Sequence, residues 1–372
     1  MVAARLWWSL IALNAALALG IQAAAPSQPA QSDREKYEFA GAHPFAPTCP
    51  PLWVVYCYRV LVPGTLELIP VDSEVRWRGY RWAATTAAGS IIAVTVASIT
   101  SAPAAGVAAA VLTQASYGFA FTAYDPFSAD PAVFVFVAAM AWCWMRGRWA
   151  LALALGLVGM FAKETVALMS ASLAVAALIP PRRRGWEKWV GQGALVVAAL
   201  LAYRWALQSY SDWGKELGQS AGLLQIDLSK GGWLALWLEG NPPVTRVYLL
   251  FVSFGFAWLY ALLGYRAAPL EWRQLALGSA LPFLALNYVQ NPERALGNLF
   301  FVVIPFAAIA LARVPASLAI SAAVLTGLIT ARAATSSVWL PPTKYTLVPA
   351  AVAAVVVVVQ AVRQTGRQAD RG

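Results

Sequence analysis

The sequence predicts an all-α fold, a polytopic transmembrane bundle of about twelve helices, and three observations carry that prediction. Of its 372 residues, 60% are hydrophobic and only 12% are charged. Mean hydropathy is +0.62, and 17 tryptophans are present. Charge-free stretches recur along the whole chain, where a membrane β-barrel would show short segments of alternating polarity. The whole of 1–372 reads as a single transmembrane domain with two larger outer loops, 25–82 and 207–244.

The first predicted span, 5–24, enters from the cytoplasm behind Arg5. Its small-residue tail, Ile21 to Ala25, would also suit a cleavable signal, but a retained helix is favoured because later spans need no such signal. The remaining spans are 83–99, 103–121, 131–145, 149–162, 165–180, 188–206, 245–264, 274–289, 298–313, 316–333 and 345–362. Alternating them from a cytoplasmic N-terminus puts Arg146/Arg148, Arg182–Arg184, Arg266/Arg273, Arg313 and Arg363/Arg367/Arg371 inside, as the positive-inside bias asks. Pro103 and Pro126 mark helix ends.

The net charge of +10 would suggest nucleic acid in a soluble protein. Here it anchors cytoplasmic loops and suits anionic membrane lipids, and no nucleic-acid partner is expected. Cys49 and Cys57 lie on one outer segment and could pair, Cys143 stands apart, and the lone His43 makes no metal pattern.

The most informative feature is Lys163-Glu164, set in an apolar run from Trp149 to Ile179 with basic clusters at both ends. A single helix over about 30 residues would be about 45 Å long and could not return both ends to one side. Two short helices are expected, with Lys163 and Glu164 at the turn on the outer face. Ionisable groups at such a depth point to function, and the plainer alternative is a structural ion pair.

Other outer segments supply further charge. Residues 50–82 are too polar to span, and 51–69 should lie along the interface with a break at Pro63-Gly64, carrying Arg59 to the level of a lipid phosphate. Arg76, Arg78 and Arg81 reach either a partner or the headgroups. In Tyr124-Asp125-Pro126 and Asp130-Pro131, Asp130 reads as a helix cap, whereas Asp125 can face a polar cavity with Glu164. Glu293 suits a first helical turn, but Arg294 opposes the helix dipole there and implies an external anion. This inventory fits transfer from a polyprenyl-phosphate-linked donor: cations for the departing phosphate, and a carboxylate as base for the acceptor hydroxyl.

Tyr58-Arg-Val-Leu-Val-Pro63, Tyr124-Asp-Pro126, Lys163-Glu-Thr165 and Glu293-Arg-Ala-Leu296 together resemble the GT-C superfamily of integral-membrane glycosyltransferases, in its bacterial branch that uses polyprenyl-phosphate sugars. The resemblance covers about residues 1–315. It implies a bundle in the bacterial cytoplasmic membrane, interfacial helices in the first outer loop and an active face that is extracytoplasmic. It implies Glu164, Asp125 and Asp33 as catalytic candidates, and Arg59, Lys163 and Arg294 as holders of the lipid phosphate. Glu293 and Tyr124 are further candidates. No cofactor is implied, although a divalent cation is compatible. The family's catalytic acid often lies in an acidic pair after the first helix; here Asp33-Arg-Glu35 has an arginine between its acids and follows a Pro/Ser/Gln-rich stretch. The chain also shows no large C-terminal soluble domain, so acceptor recognition falls to 207–244. Two alternatives remain open: a transporter or flippase of a lipid-linked or other anionic substrate, and a non-catalytic membrane scaffold.

Overall fold

The computed structural model describes residues 2–26, 33–50, 53–211, 242–284 and 292–369. Every regular element among them is helical: α1 (Val2–Ala24), α2 (Arg34–Ala42), α3 (Val54–Cys57), α4 (Leu61–Glu67), α5 (Ser73–Thr100), α6 (Pro103–Ala115), α7 (Tyr117–Tyr124), α8 (Asp130–Arg146) and α9 (Trp149–Gly159). The series continues with α10 (Thr165–Leu178), α11 (Trp186–Tyr210), α12 (Pro243–Phe254), α13 (Ala257–Tyr265), α14 (Leu270–Leu284), α15 (Pro292–Gly297), α16 (Phe300–Leu311), α17 (Ala316–Thr335) and α18 (Thr343–Ala369). By length and composition, five helices can cross a membrane: α1, α5, α11, α17 and α18. Two bent pairs raise the number to seven if each is one span, α6 with α7 at 47° and α12 with α13 at 73°. The apolar helices α9, α10 and α16 are shorter.

The outer surface of the bundle is rich in aliphatic residues. Leu195, Leu201 and Trp205 on α11, Leu262 on α13 and Val352 and Val355 on α18 are all exposed. Such a skin suits contact with lipid tails rather than water. Inside, small residues let helix backbones meet, as membrane bundles require. A Cβ at Gly264 would come within 1.9 Å of the Phe306 carbonyl oxygen, and one at Gly278 within 2.6 Å of Ala176 N. We expect Gly264→Ala to separate α13 from α16 and to lower stability by about 1–3 kcal/mol, read as a drop in the thermal midpoint of the detergent-solubilised protein.

The expected break in 149–180 is present. Gly159 faces Val166 while Gly156 faces Ser170, so stepping back along α9 moves forward along α10. That register is an antiparallel hairpin whose tip is Met160 to Glu164. Helix α1 is an integral part of the bundle: its buried Asn14 accepts from Gln114 on α6 at 3.1 Å, and its Ala18 carbonyl accepts from Arg81 at 2.7 Å.

Three local expectations are corrected. Helix α5 begins at Ser73, ten residues before the expected span, because Asp72 caps it by accepting from the backbone N–H groups of Glu74 and Val75. Arg81 therefore lies within a helix and is fully buried, donating to the carbonyls of Ala18 and Phe119 and to Thr122. Among the described residues it meets no carboxylate; it ties α1, α5 and α7 together through the backbone oxygens of Ala18 and Phe119 and the side-chain oxygens of Gln22 and Thr122. Helix α4 runs through Pro63-Gly64 instead of breaking there. Pro63 sits in the first turn, where no intrahelical N–H donor is needed.

The hairpin tip, three loops and two ion-paired carboxylates

Segments distant in sequence meet at the α9–α10 tip. The chain turns there because Lys163 and Glu164 end the apolar run, with the Lys163 N–H closing onto the Gly159 carbonyl at 3.2 Å. Segment 53–61 is pinned to this tip: Leu61 N–H donates to the Phe161 carbonyl at 3.1 Å, and Tyr203 Oη on α11 donates to the Tyr58 carbonyl at 3.0 Å. Cys49 and Cys57 form a disulfide that fastens the preceding loop to the same segment. Arg59 is thereby turned toward the bundle, as expected.

Lys163 and Glu164 do not pair with each other. Glu164 accepts from Arg59 Nη2 at 2.8 Å and from the Tyr58 hydroxyl. Burial pushes its carboxyl up, but Arg59 and Lys163, with the Tyr58 hydrogen bond, outweigh that and hold it near 2. Glu164 also stands at the N-terminal end of α10, where the helix dipole favours negative charge. Lys163 Nζ donates to Asp130 Oδ1 at 2.5 Å. Arg294 Nε donates to Asp130 Oδ2 at 2.7 Å, and its Nη2 donates to Ser128 Oγ at 3.0 Å.

Asp130 is therefore not the simple cap the Asp-Pro signal suggests. Its side chain makes no cap hydrogen bond, and Ala129 occupies the cap position. It is the hub of a Lys163–Asp130–Arg294 triad, only 6% exposed as a side chain. Burial alone would raise its pKa, yet the two cations hold it well below the usual carboxylate range. The 125–130 loop reaches the triad because Phe127 anchors it, fully buried against Trp77 with the Arg34 guanidinium 5.2 Å from its ring. On α15, Gly297 lies against Gly118 of α7, and this close approach brings Glu293 and Arg294 over the loop. Arg294 also stacks on Phe121, 4.9 Å from the ring centroid.

Asp125 ends α7 and is 7% exposed, with no hydrogen-bond partner at Oδ1. Burial first, then Asp33 and Asp130, raise its pKa to about 6 against the opposing pull of Arg294. Asp33 lies close to the same assembly, accepting from Tyr56 Oη at 2.7 Å and from Lys36 at 3.0 Å. Glu293 accepts from Tyr117 Oη at 3.2 Å, and its Oε2 is buried without a partner. Tyr124 is the outlier: its ring meets Phe121 at 6.0 Å and reaches none of the charged groups.

Asp130, Tyr58 and Ser128 are the residues that sequence reasoning missed. Tyr58 was within reach, as a phenol beside Arg59 in the same motif. Of loop 207–244, to which acceptor recognition was assigned, residues 212–241 lie outside the described residues, as do 285–291. Among the described residues, no group of three or more His, Cys, Asp or Glu side chains is placed to hold a metal ion.

Spare donors are present among the cations. Among the described residues, Arg59 Nε is buried without a partner, and Lys163 Nζ, with three protons, has Asp130 as its one acceptor. Three cations, Arg59, Lys163 and Arg294, face two firmly ionised carboxylates, Glu164 and Asp130, and Asp125, its pKa raised to about 6, adds a third that is mostly ionised at neutral pH. The cluster thus offers unused N–H donors beside an acid whose pKa is raised to about 6.

Fold and site define a class: an all-helical protein with several helices able to cross a membrane and a buried ionic cluster where its loops converge. Comparison with family models, with curated proteins and with solved structures finds no match for this chain.

Proposed function

We propose that the protein is an integral-membrane glycosyltransferase that moves a sugar from a polyprenyl-phosphate-linked donor to an acceptor outside the cytoplasm of a bacterium. The observation that carries this reading is the convergence of Arg59, Lys163 and Arg294, with spare N–H donors, around the hairpin tip and a loop holding Asp125, whose Oδ1 has no hydrogen-bond partner among the described residues. In this reading the donor phosphate adds to the cationic cluster and takes hydrogen bonds from Arg59 Nε and Lys163 Nζ. As the sugar–phosphate bond breaks, the negative charge growing on the phosphate oxygen is met by fixed cations. Asp125 Oδ1 accepts the proton of the attacking hydroxyl. Glu164 is too acidic and too fully engaged to serve as base, and its part is to hold Arg59 and Tyr58 in place. Asp33, held by Tyr56 and Lys36, helps to raise the pKa of Asp125.

About twelve spans, with the hairpin tip outside and both termini inside, give this chemistry its side. Glu67 and Arg146 are exposed, and the one free cysteine, Cys143, is buried. A membrane-impermeant maleimide applied to intact cells should label Glu67→Cys and leave Arg146→Cys unlabelled. The opposite pattern ends the topology.

Transport is the second reading, and one feature favours it. The breaks at Ser116 and Gly255 both abut α17: the Thr330 hydroxyl donates to the Ala115 carbonyl at 2.6 Å, and Gly255 faces Thr326 and Thr330. Paired broken helices are a transporter device. Purified protein in nanodiscs, given a polyprenyl-phosphate sugar and acceptor, should release free polyprenyl phosphate. Uptake of labelled substrate into proteoliposomes without any transfer product would replace the enzyme reading.

A further inference from the structure

At the opposite end of the α9–α10 hairpin lies a cavity of about 660 Å³, lined by Arg182, Arg183, Arg184, Lys188, Trp149 and Trp189. We propose that it binds a phosphate group carried by the headgroup of an anionic lipid.

The cations there are poorly neutralised. Four basic side chains line the cavity, and Glu271 is the one carboxylate on its wall. Among the described residues, none of the four makes a salt bridge within 4.0 Å, in contrast to the paired cations at the other end.

Their geometry is held by aromatic rings instead. The Arg183 guanidinium lies 4.3 Å from the Trp144 ring and 5.6 Å from the Trp189 ring. Those two rings meet edge to face at 4.9 Å, and Trp144 is itself fixed by donating to the Glu271 carbonyl at 2.7 Å. Contact with the ring faces restrains the guanidinium but uses none of its N–H donors. One of them, on Nη1, is buried without an acceptor among the described residues. A planar fork held in place with an open donor is the arrangement that recognises phosphate oxygens. Arg182 over Trp186 at 5.1 Å and Lys188 over Trp149 at 5.7 Å extend the same pattern around the mouth. Gln274 closes the floor, donating to the carbonyls of Ile179 and Pro181.

A lipid is favoured over a free anion by the apolar surface at this end of the hairpin. Leu270, on the cavity wall, is 38% exposed, and Leu151 and Leu178, two and three residues along the chain from the lining residues Trp149 and Pro181, are 43% and 42% exposed. A headgroup entering among the arginines would leave its acyl chains against these leucines. Basic pockets between helices, ringed by tryptophan, suit anionic headgroups in this way.

The test uses full-length, delipidated protein and native mass spectrometry, with phosphatidylglycerol and phosphatidylcholine of matched chains. Wild-type protein should retain phosphatidylglycerol preferentially, and Arg182→Gln and Arg183→Gln should each weaken that preference about fivefold. Because a variant can fail to fold, the wild-type protein is also treated with phenylglyoxal, and phosphatidylglycerol should slow modification of Arg183. Inorganic phosphate protecting Arg183 while both lipids are retained equally would overturn the lipid source and leave a free-phosphate site. Equal retention of the two lipids with no protection by either probe would overturn the proposal.

Discussion

Asp130→Asn is expected to lower stability by about 3–5 kcal/mol, the usual cost of removing one member of a buried ion cluster. Asparagine keeps the shape but strands Lys163 and Arg294, whose side chains are only 21% and 24% exposed. Unfolding of the detergent-solubilised protein, followed by circular dichroism, should show it. A triple variant, Asp130→Leu with Lys163→Leu and Arg294→Leu, removes all three charges and should lose much less. A wild-type unfolding midpoint in Asp130→Asn would refute the role of the triad. The pH dependence has a definite sign. The folded-state pKa of Asp130 is depressed by Arg294 and Lys163, which outweigh burial. Its contribution is therefore complete above the unfolded carboxylate value of about 3.9 and is lost as pH falls below it toward the folded value. Stability should hold at pH 5 and decline below about pH 4.

The second large effect is on rate. Asp125→Asn should cost about 10²- to 10⁴-fold in turnover while donor binding stays close to wild type. The fold should survive, because Oδ1 has no partner to lose. The pH profile separates the two carboxylates that lie near the cations. A base at about 6 gives a rate that falls tenfold per pH unit below that point and levels off above it. A base held at about 2, as Glu164 is, would leave the rate flat through the whole acidic range that the protein survives. Asp125 also carries the opposite stability sign from Asp130. Its folded pKa is raised, so folding is favoured while it stays protonated and loses ground as pH rises from about 3.9 through 6. Asp125→Asn should therefore be neutral or mildly stabilising at pH 7. Full turnover by Asp125→Asn would end the acid–base assignment.

What the chain declares by itself is decided by local pattern. Long apolar segments predict helices, because a backbone surrounded by hydrocarbon must satisfy its own hydrogen bonds. Two charges inside such a segment predict a turn at Lys163-Glu164, because neither can face lipid at low cost, and the α9–α10 hairpin turns there. The Arg59 motif, Asp125 and Glu293-Arg294 stood out in the same way, as polar groups where the surroundings are apolar. Pairing was beyond the reach of local pattern. Lys163 and Arg294 are 33 and 164 residues from Asp130, and an Asp-Pro dipeptide reads the same whether its carboxylate caps its own helix or crosses to others. Arg81 was illegible for a related reason: two of its acceptors are backbone oxygens on α1 and α7, which every residue type carries, and the others are neutral side chains 59 and 41 residues away. The number of spans is open from the same cause, since α9, α10 and α16 are too short to show by length whether each crosses alone. Burial decided which carboxyl groups stay charged. Packing withdrew water from Asp125 and paired Arg59, Lys163 and Arg294 with other acids, which left Asp125 with a pKa raised to about 6 beside two carboxylates held low.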